Sequence, residues 1–171
     1  NYRQAEIALV RGQGCRVWDA DGNEYLDLCA GVAVCSLGHA HPAVAETLST
    51  QAKMLLHCSN LYFNERQVAF AEVLTEQTGY DRAFFCNSGA EAVEAAVKLA
   101  RRYMQVTGQP ERVGLVAAEG SFHGRTFAGI TLTGQSKYRE KFGPLLPEVR
   151  HVPFGDLAAM REAVGPATCA V

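Results

Sequence analysis

The stretch at residues 84–91, Phe-Phe-Cys-Asn-Ser-Gly-Ala-Glu, constrains this chain more than any other feature, because an apolar segment turns there into a long helix. The helical run at 92–105 is rich in Ala, Leu, Lys, Arg and Glu and stops before a glycine. Ser88 and Glu91 have the spacing of a capping box, and Gly89 allows a ligand to approach the backbone. Because a helix N-terminus offers free N–H groups and a positive dipole end, the junction predicts an anion cradle. By itself, the pattern favours a plain helix cap.

Turn signals and hydrophobic spacing place the other elements. An Asp-Gly turn between apolar-rich runs at 16–19 and 24–27 predicts a β-hairpin, and Pro42 opens a predicted helix. Further along, strands and helices alternate, which predicts an α/β fold whose mainly parallel sheet is covered on both faces. The predicted strands lie at 83–86, 112–117, 149–152 and 167–171, and the predicted helices at 65–77, 90–107, 127–132 and 157–164.

Composition excludes several classes of partner. The net charge of -2 comes from interspersed acidic and basic residues, with no basic block that would bind nucleic acid or an anionic membrane. The sequence has no apolar run long enough to span a bilayer and no signal peptide at its start, so we expect a cytoplasmic protein. The six cysteines are irregularly spaced without a C-x-x-C pair, and we expect reduced, buried thiols. His39 and His41 offer too few ligands for a metal site, so we expect turn histidines with satisfied hydrogen bonds and no metal.

Two further motifs carry a family resemblance. Gly-His-Ala-His-Pro occupies 38–42, and Gly-Ser-Phe-His-Gly-Arg-Thr occupies 120–126. In this order with the Ser-Gly-Ala-Glu junction, they resemble the class III aminotransferases, which depend on pyridoxal phosphate. The resemblance extends from about Ile7 to the last residue and includes the segments 17–22, 25–27, 31–34 and 85–92.

The resemblance implies a fold and an assembly. The family has the three-layer α/β/α large domain of fold type I, built on a mainly parallel sheet. Residues 1–58 would belong to a smaller α+β domain and the interface, and residues 59–171 would form the first part of the cofactor-binding domain. Members of the family are homodimers whose sites take residues from both subunits.

The resemblance also assigns site residues. Gly89 and Ala90 would donate backbone N–H groups to the cofactor phosphate, with the Ser88 hydroxyl as a further donor or as the helix cap. Phe122 would stack on the pyridine ring. Arg125 would hold a substrate carboxylate in a bidentate fork, whereas His123 would have a structural role.

Within the family, the resemblance is closest to members that move an amino group from N-acetylornithine to 2-oxoglutarate in arginine biosynthesis. Relatives that act on free ornithine carry a tyrosine near positions 31–34. This chain has Gly-Val-Ala-Val there, which is closer to the acetylornithine type. A class III aminotransferase for ornithine, 4-aminobutyrate or a lysine-pathway substrate is the alternative, as is a non-catalytic phosphate- or cofactor-binding module. A hydrolase using Cys86 or Ser88 is disfavoured because Gly-x-Ser-x-Gly is absent.

One part of the family's machinery has no counterpart here. Aminotransferases of this kind need a lysine that forms a Schiff base with the cofactor. None of the lysines, at positions 53, 98, 137 and 141, lies in a matching motif. The family's lysine and the aspartate that pairs with the pyridine nitrogen lie beyond Val171, so no catalytic residue is assigned. Because the chain starts at Asn1 and stops in an apolar, β-prone run, we expect a piece of a longer protein that carries half a site.

Overall fold

A computed structural model describes residues 4–171, and the chain divides into two compact units, Asn1–Thr78 and Gly79–Val171. Each unit contains a three-stranded sheet. Among residues 4–171, no helix combines the length and the apolar character needed to cross a membrane. The predicted domain boundary at residue 58 stays a prediction. The elements in chain order are β1 Leu9–Gln13, β2 Arg16–Asp19, β3 Glu24–Leu26, α1 Ala30–Ala33, α2 Pro42–Ala52, α3 Glu65–Thr78, α4 Gly89–Val106, β4 Gly114–Ala118, α5 Phe127–Leu132, α6 Ser136–Arg139, β5 Val149–Val152, α7 Leu157–Ala163 and β6 Thr168–Ala170.

The first unit begins with an antiparallel meander in the order β1-β2-β3. The predicted hairpin is confirmed as β2 and β3, whereas β1 was not predicted. Asp19 organises the turn: its carboxylate accepts hydrogen bonds from the Asn23 amide N–H at 2.8 Å, the Asn23 side chain at 2.9 Å and the Tyr25 hydroxyl at 2.7 Å. An aspartate that bonds its own turn in this way fixes the path of the chain between the strands.

The helices of the first unit follow local sequence signals. The helix predicted to open at Pro42 is confirmed, with the proline in its first turn, where a missing N–H costs nothing. The helix predicted over 65–77 is confirmed as α3. The Asn64 side chain accepts hydrogen bonds from the N–H groups of Arg66 at 3.0 Å and Gln67 at 3.2 Å, as a helix N-cap does.

The second unit is built on a parallel sheet with β4 at its centre, in the order β5-β4-β6. The predicted parallel sheet, the strands at 112–117, 149–152 and 167–171, and the helices at 90–107, 127–132 and 157–164 are confirmed within a few residues. The strand predicted at 83–86 is wrong, because the structure assigns no strand there. A strand is defined by backbone pairing, and none of the described strands pairs with this segment.

Helices α4 and α5 pack on one face of this sheet. Leu115 and Ala117 are two residues apart and therefore point to the same side of β4, where they meet Val97 of α4. Ala128 and Leu132 of α5 complete this buried cluster. The core thus fixes α4, β4 and α5 relative to one another, and these elements carry the two motifs at 84–91 and 120–126.

The cysteine prediction is partly wrong. All six thiols are free, but Cys15, Cys29 and Cys86 are exposed and the other three are half-buried. The apolar segments that contain Cys29 and Cys86 are irregular stretches ahead of α1 and α4 rather than packed strands, and both side chains are exposed.

The hydrogen bonds to Asp19 predict a pH dependence of stability. Tyr25 and Asn23 donate to the carboxylate and lower the pKa of Asp19 to about 2. Because the folded pKa lies below the unfolded value of about 4, the stabilisation should be complete above about pH 4 and disappear as the pH falls through about 2. We expect the stability gap between wild type and Asp19→Asn to close over that range, and an NMR titration of the side-chain carboxyl to show a midpoint near 2.

The exposed Asp21→Asn, in the same turn, is the matched control and should change stability little at any pH. A midpoint near 4 for Asp19, or a gap that does not depend on pH, would contradict this account.

Candidate functional site

The N-terminus of α4 forms the capping arrangement that the sequence predicts. Ser88 is the N-cap in an extended conformation, and its hydroxyl oxygen accepts a hydrogen bond from the Glu91 N–H at 3.2 Å. The Glu91 carboxylate accepts from the Asn87 N–H at 2.6 Å, one residue ahead of the usual capping-box partner. The cap therefore fixes the first turn of a long helix, and the Glu91 carboxylate is bonded to the backbone that leads into it.

Two backbone N–H groups in the first turn of α4 are available to donate hydrogen bonds to a ligand. The first helical bond runs from the Ala92 N–H to the Ser88 carbonyl at 3.0 Å. The N–H groups of Gly89 and Ala90 have no acceptor within residues 4–171, as expected at the start of a helix. Ser88 and Gly89 are exposed and Ala90 is half-buried. A ligand can therefore reach two parallel donors at the positive end of an 18-residue helix.

The motif at 120–126 leaves the carboxyl end of β4, the edge at which parallel sheets bind ligands. Two hydroxyl groups hold the loop. The Ser121 hydroxyl donates to the Ala118 carbonyl at 2.6 Å and accepts from the Gly134 N–H at 3.1 Å. Thr133, fully buried, accepts from the His123 N–H at 3.0 Å. The His123 backbone is thus part of the scaffold, which agrees with the structural role predicted for this residue.

Gly124 brings the second motif against the first. A methyl group added at Gly124 would lie 2.7 Å from Cβ of Ala90 and 3.1 Å from its Cα, and the glycine has a φ of +108°. No other residue fits both this conformation and this contact. A hydrogen bond joins α4 to the helix that follows this loop: the Ala128 N–H of α5 donates to the Glu94 carboxylate of α4 at 2.9 Å. The loop backbone consequently lies directly beside the free N–H of Ala90.

Phe122 and Arg125 flank this contact and share one neighbour. Phe122 is 55% exposed, and its ring meets that of Tyr138 edge to face at 5.9 Å between centroids. The Arg125 guanidinium carbon lies 4.8 Å from the centre of the Tyr138 ring, as does the Lys137 ammonium nitrogen. Tyr138 and Lys137 were not predicted as site residues. No motif contains them, and only the fold brings α6 beside the loop.

The second unit thus brings all five predicted site residues onto one set of elements: the α4 N-terminus carries Ser88, Gly89 and Ala90, and the loop ahead of α5 carries Phe122 and Arg125. Two N–H donors at a helix N-terminus and an exposed aromatic ring on the adjacent loop suit a phosphorylated aromatic ring. The residues present therefore fit pyridoxal phosphate, the cofactor that the resemblance implies. Their roles stay predictions.

The histidines of the 38–42 motif lie in the first unit. His39 Nε2 lies 2.6 Å from an Asp27 carboxylate oxygen, and this contact is the main cause of a lowered pKa of Asp27. His39 therefore has the hydrogen-bond partner we expected. His41 does not: its Nδ1 is buried and has no partner within the described chain, so that part of the prediction is wrong.

The segment predicted to distinguish substrates is strained. Ala30, Gly31, Val32 and Ala33 all have positive φ values, and Val32 has a φ of 59° and is 85% exposed. A β-branched residue is strongly disfavoured in this conformation, and such strain is concentrated at functional sites. A role of this segment in substrate choice stays a prediction.

Comparison with known proteins identifies the family. The profile of the family described as aminotransferase class-III matches residues 1–170. The chain is 53% identical over its whole length to the acetylornithine aminotransferase of Myxococcus xanthus, and 50% identical over 99% of its length to that of Caldanaerobacter subterraneus subsp. tengcongensis. The chain spans 43% of the length of each of these curated relatives.

Solved structures agree on the fold. An (S)-enantioselective omega-transaminase from Thermomicrobium roseum superposes with a TM-score of 0.90 at 29% identity, over 98% of this chain and 43% of that one. The ornithine aminotransferase of Toxoplasma gondii, whose active site is partially occupied by pyridoxal phosphate, gives a TM-score of 0.88 at 33% identity over 94% of this chain and 38% of that one. The predicted α/β architecture of fold type I is thereby confirmed.

The contact between Gly124 and Ala90 is open to a stability test. Gly124→Ala adds a methyl group in a space that is already filled and forces alanine to a disfavoured φ, so we expect a loss of roughly 2–4 kcal/mol in the free energy of unfolding. Chemical denaturation of the two proteins measures the difference.

Gly120→Ala is the matched control. Gly120 also has a positive φ, of 78°, but no described atom lies within 4 Å of the added methyl group. In this variant, we expect the free energy of unfolding to fall only by the cost of the disfavoured φ, roughly 1–2 kcal/mol. Equal losses in the two variants would show that the loop does not pack on Ala90.

Proposed function

The chain belongs to the class III aminotransferases, and we propose that the intact protein transfers an amino group from N-acetylornithine to 2-oxoglutarate. The observation that carries the proposal is the packing of Gly124 on Ala90, which brings the N-terminus of α4 beside the loop that holds Phe122 and Arg125. The names of the relatives at 50–53% identity support the choice of N-acetylornithine and a place in arginine biosynthesis.

We assign the cofactor-binding half of the site to the α4 terminus and Phe122. Pyridoxal phosphate supplies, when bound, a reactive carbonyl group and an electron sink for moving the amino group. Gly89 and Ala90 donate their N–H groups to the phosphate, and the helix dipole adds to this attraction. Ser88 keeps the first turn in place, and its hydroxyl is also close enough to the exposed end to donate to the phosphate. Phe122 presents an exposed ring for stacking on the pyridine face.

We assign Arg125 to the substrate carboxylate. A guanidinium group presents N–H donors in a planar fork that matches both oxygens of a carboxylate, which an ammonium group does not. N-acetylornithine reacts at its terminal amine and carries its carboxylate at the other end of the carbon chain, whereas 2-oxoglutarate carries a carboxylate at each end, so both proposed substrates offer a carboxylate to a guanidinium. The same arginine can therefore orient each of them in turn.

The remaining parts of the proposal come from the family. The lysine that reacts with the cofactor and the acidic partner of the pyridine nitrogen would be supplied by the rest of the intact protein. We also propose a homodimer in the cytoplasm, with both subunits contributing to each site.

A substrate profile of the intact protein tests the proposal. We expect kcat/KM with 2-oxoglutarate as acceptor to be highest for N-acetylornithine and lower for ornithine and 4-aminobutyrate. Arg125→Lys keeps the charge but loses the fork, which should lower kcat/KM for N-acetylornithine roughly 10- to 100-fold, the usual value of a hydrogen bond to a charged group.

A primary amine without a carboxylate is the matched control, because kcat/KM for this donor, which does not depend on the half-reaction with 2-oxoglutarate, should be the same in wild type and Arg125→Lys. A higher kcat/KM for ornithine would overturn the substrate assignment while leaving the family intact. Equal losses with the carboxylate-bearing donor and the simple amine would overturn the role of Arg125.

A further inference from the structure

Tyr138 is an aromatic residue that touches both side chains proposed to face the ligands. Its ring meets Phe122 edge to face at 5.9 Å and an interplanar angle of 77°, and the Arg125 guanidinium carbon lies 4.8 Å from its centre. An edge-to-face pair and a cation over a ring are both favourable arrangements, since the ring face is negative and its edge positive. One side chain therefore connects the proposed cofactor-stacking and carboxylate-binding groups.

The helix that carries Tyr138 is anchored on both sides. Ahead of it, the Gln135 side chain donates to the carbonyls of Gly120 at 3.3 Å and Ser121 at 3.4 Å. At the last residue of the helix, the Arg139 side chain contacts one ring nitrogen of His151 in β5 at 3.1 Å. The other ring nitrogen of His151 lies 3.1 Å from the Leu132 carbonyl oxygen. Tyr138 is half-buried between these anchors, whereas Arg125 is exposed. The ring thus has a fixed position beside the Arg125 guanidinium.

The contact between the Arg125 guanidinium and the Tyr138 ring affects how the arginine can bind a carboxylate. A guanidinium group that lies over an aromatic ring can still donate its N–H groups to a carboxylate in its own plane. An arginine side chain loses rotamer freedom when it binds a ligand. Holding the guanidinium in advance reduces this loss and strengthens carboxylate binding.

We propose that Tyr138 is a positioning residue for Arg125, which orients the guanidinium for the substrate carboxylate. The inference rests on the proposed role of Arg125 in substrate binding. It adds a residue that lies outside the 120–126 motif and acts only through the arginine.

The test uses the intact protein loaded with pyridoxal phosphate and the ligand glutarate, which has the carbon skeleton of 2-oxoglutarate but cannot react. Isothermal titration calorimetry gives its Kd without any dependence on turnover. Tyr138→Leu keeps an apolar side chain but removes the ring, and we expect the Kd to rise roughly 3- to 10-fold, as for loss of a partly exposed cation–π contact. Tyr138→Phe keeps the ring and should bind within about twofold of wild type.

Three further variants make the result specific. Tyr103→Leu, an exposed tyrosine near the far end of α4, should leave the Kd unchanged. Arg125→Ala should weaken glutarate binding, and adding Tyr138→Leu to it should cause no further loss if the ring acts through the arginine. A general loosening of the loop would instead weaken binding again in the double variant.

The outcomes distinguish the positioning role of Tyr138 from the proposed role of Arg125 in substrate binding. If Arg125→Ala weakens glutarate binding and Tyr138→Leu does not, the inference is overturned and the proposed function stands. If Tyr138→Leu weakens binding equally with and without Arg125, the positioning role is likewise overturned. An unchanged Kd in Arg125→Ala overturns the proposed role of the arginine and the inference with it.

Discussion

The site of this protein depends on the absence of one side chain. At Gly124 the backbone comes so close to Ala90 that a methyl group would overlap the first turn of α4, and its φ of +108° suits only glycine. This contact joins a helix terminus to a loop that reaches the same place from the end of β4. The buried cluster that includes Val97, Leu115 and Leu132 holds α4, β4 and α5 together and thereby stabilises the contact between Gly124 and Ala90. Local capping and core packing thus combine to bring anion donors, an aromatic ring and an arginine together.

The arrangement gives each group a separate physical task. In the proposed function, the α4 terminus attracts a phosphate through N–H donors and a dipole, both of which are in place before any ligand arrives. In the same proposal, Phe122 provides contact area without proton chemistry, and Arg125 provides a carboxylate fork. Tyr138 lies against both side chains. In our account, its ring orients the guanidinium of Arg125 for the substrate carboxylate.

Local chemistry determined how much of this could be predicted from the sequence. The cap at Ser88, the hairpin at the Asp-Gly turn and the parallel strands were predictable because each depends on neighbouring residues or on simple periodicity. The strand at 83–86 was predicted wrongly, since apolar composition says nothing about whether a partner strand is available. The roles of Tyr138 and Gly124 were missed for a related reason: their contacts join segments that are distant in sequence and meet only in the folded chain.

The central claim is that the N–H groups of Gly89 and Ala90 bind the cofactor phosphate, and amide NMR of the intact protein tests it most directly. On addition of pyridoxal phosphate, the account predicts downfield shifts of these two amide protons, with little change at Gly108 beyond the other end of the helix. Ser88→Asp should keep the helix cap but repel the phosphate and suppress both shifts. Saturable cofactor binding that leaves the amides of Gly89 and Ala90 unmoved would contradict the account.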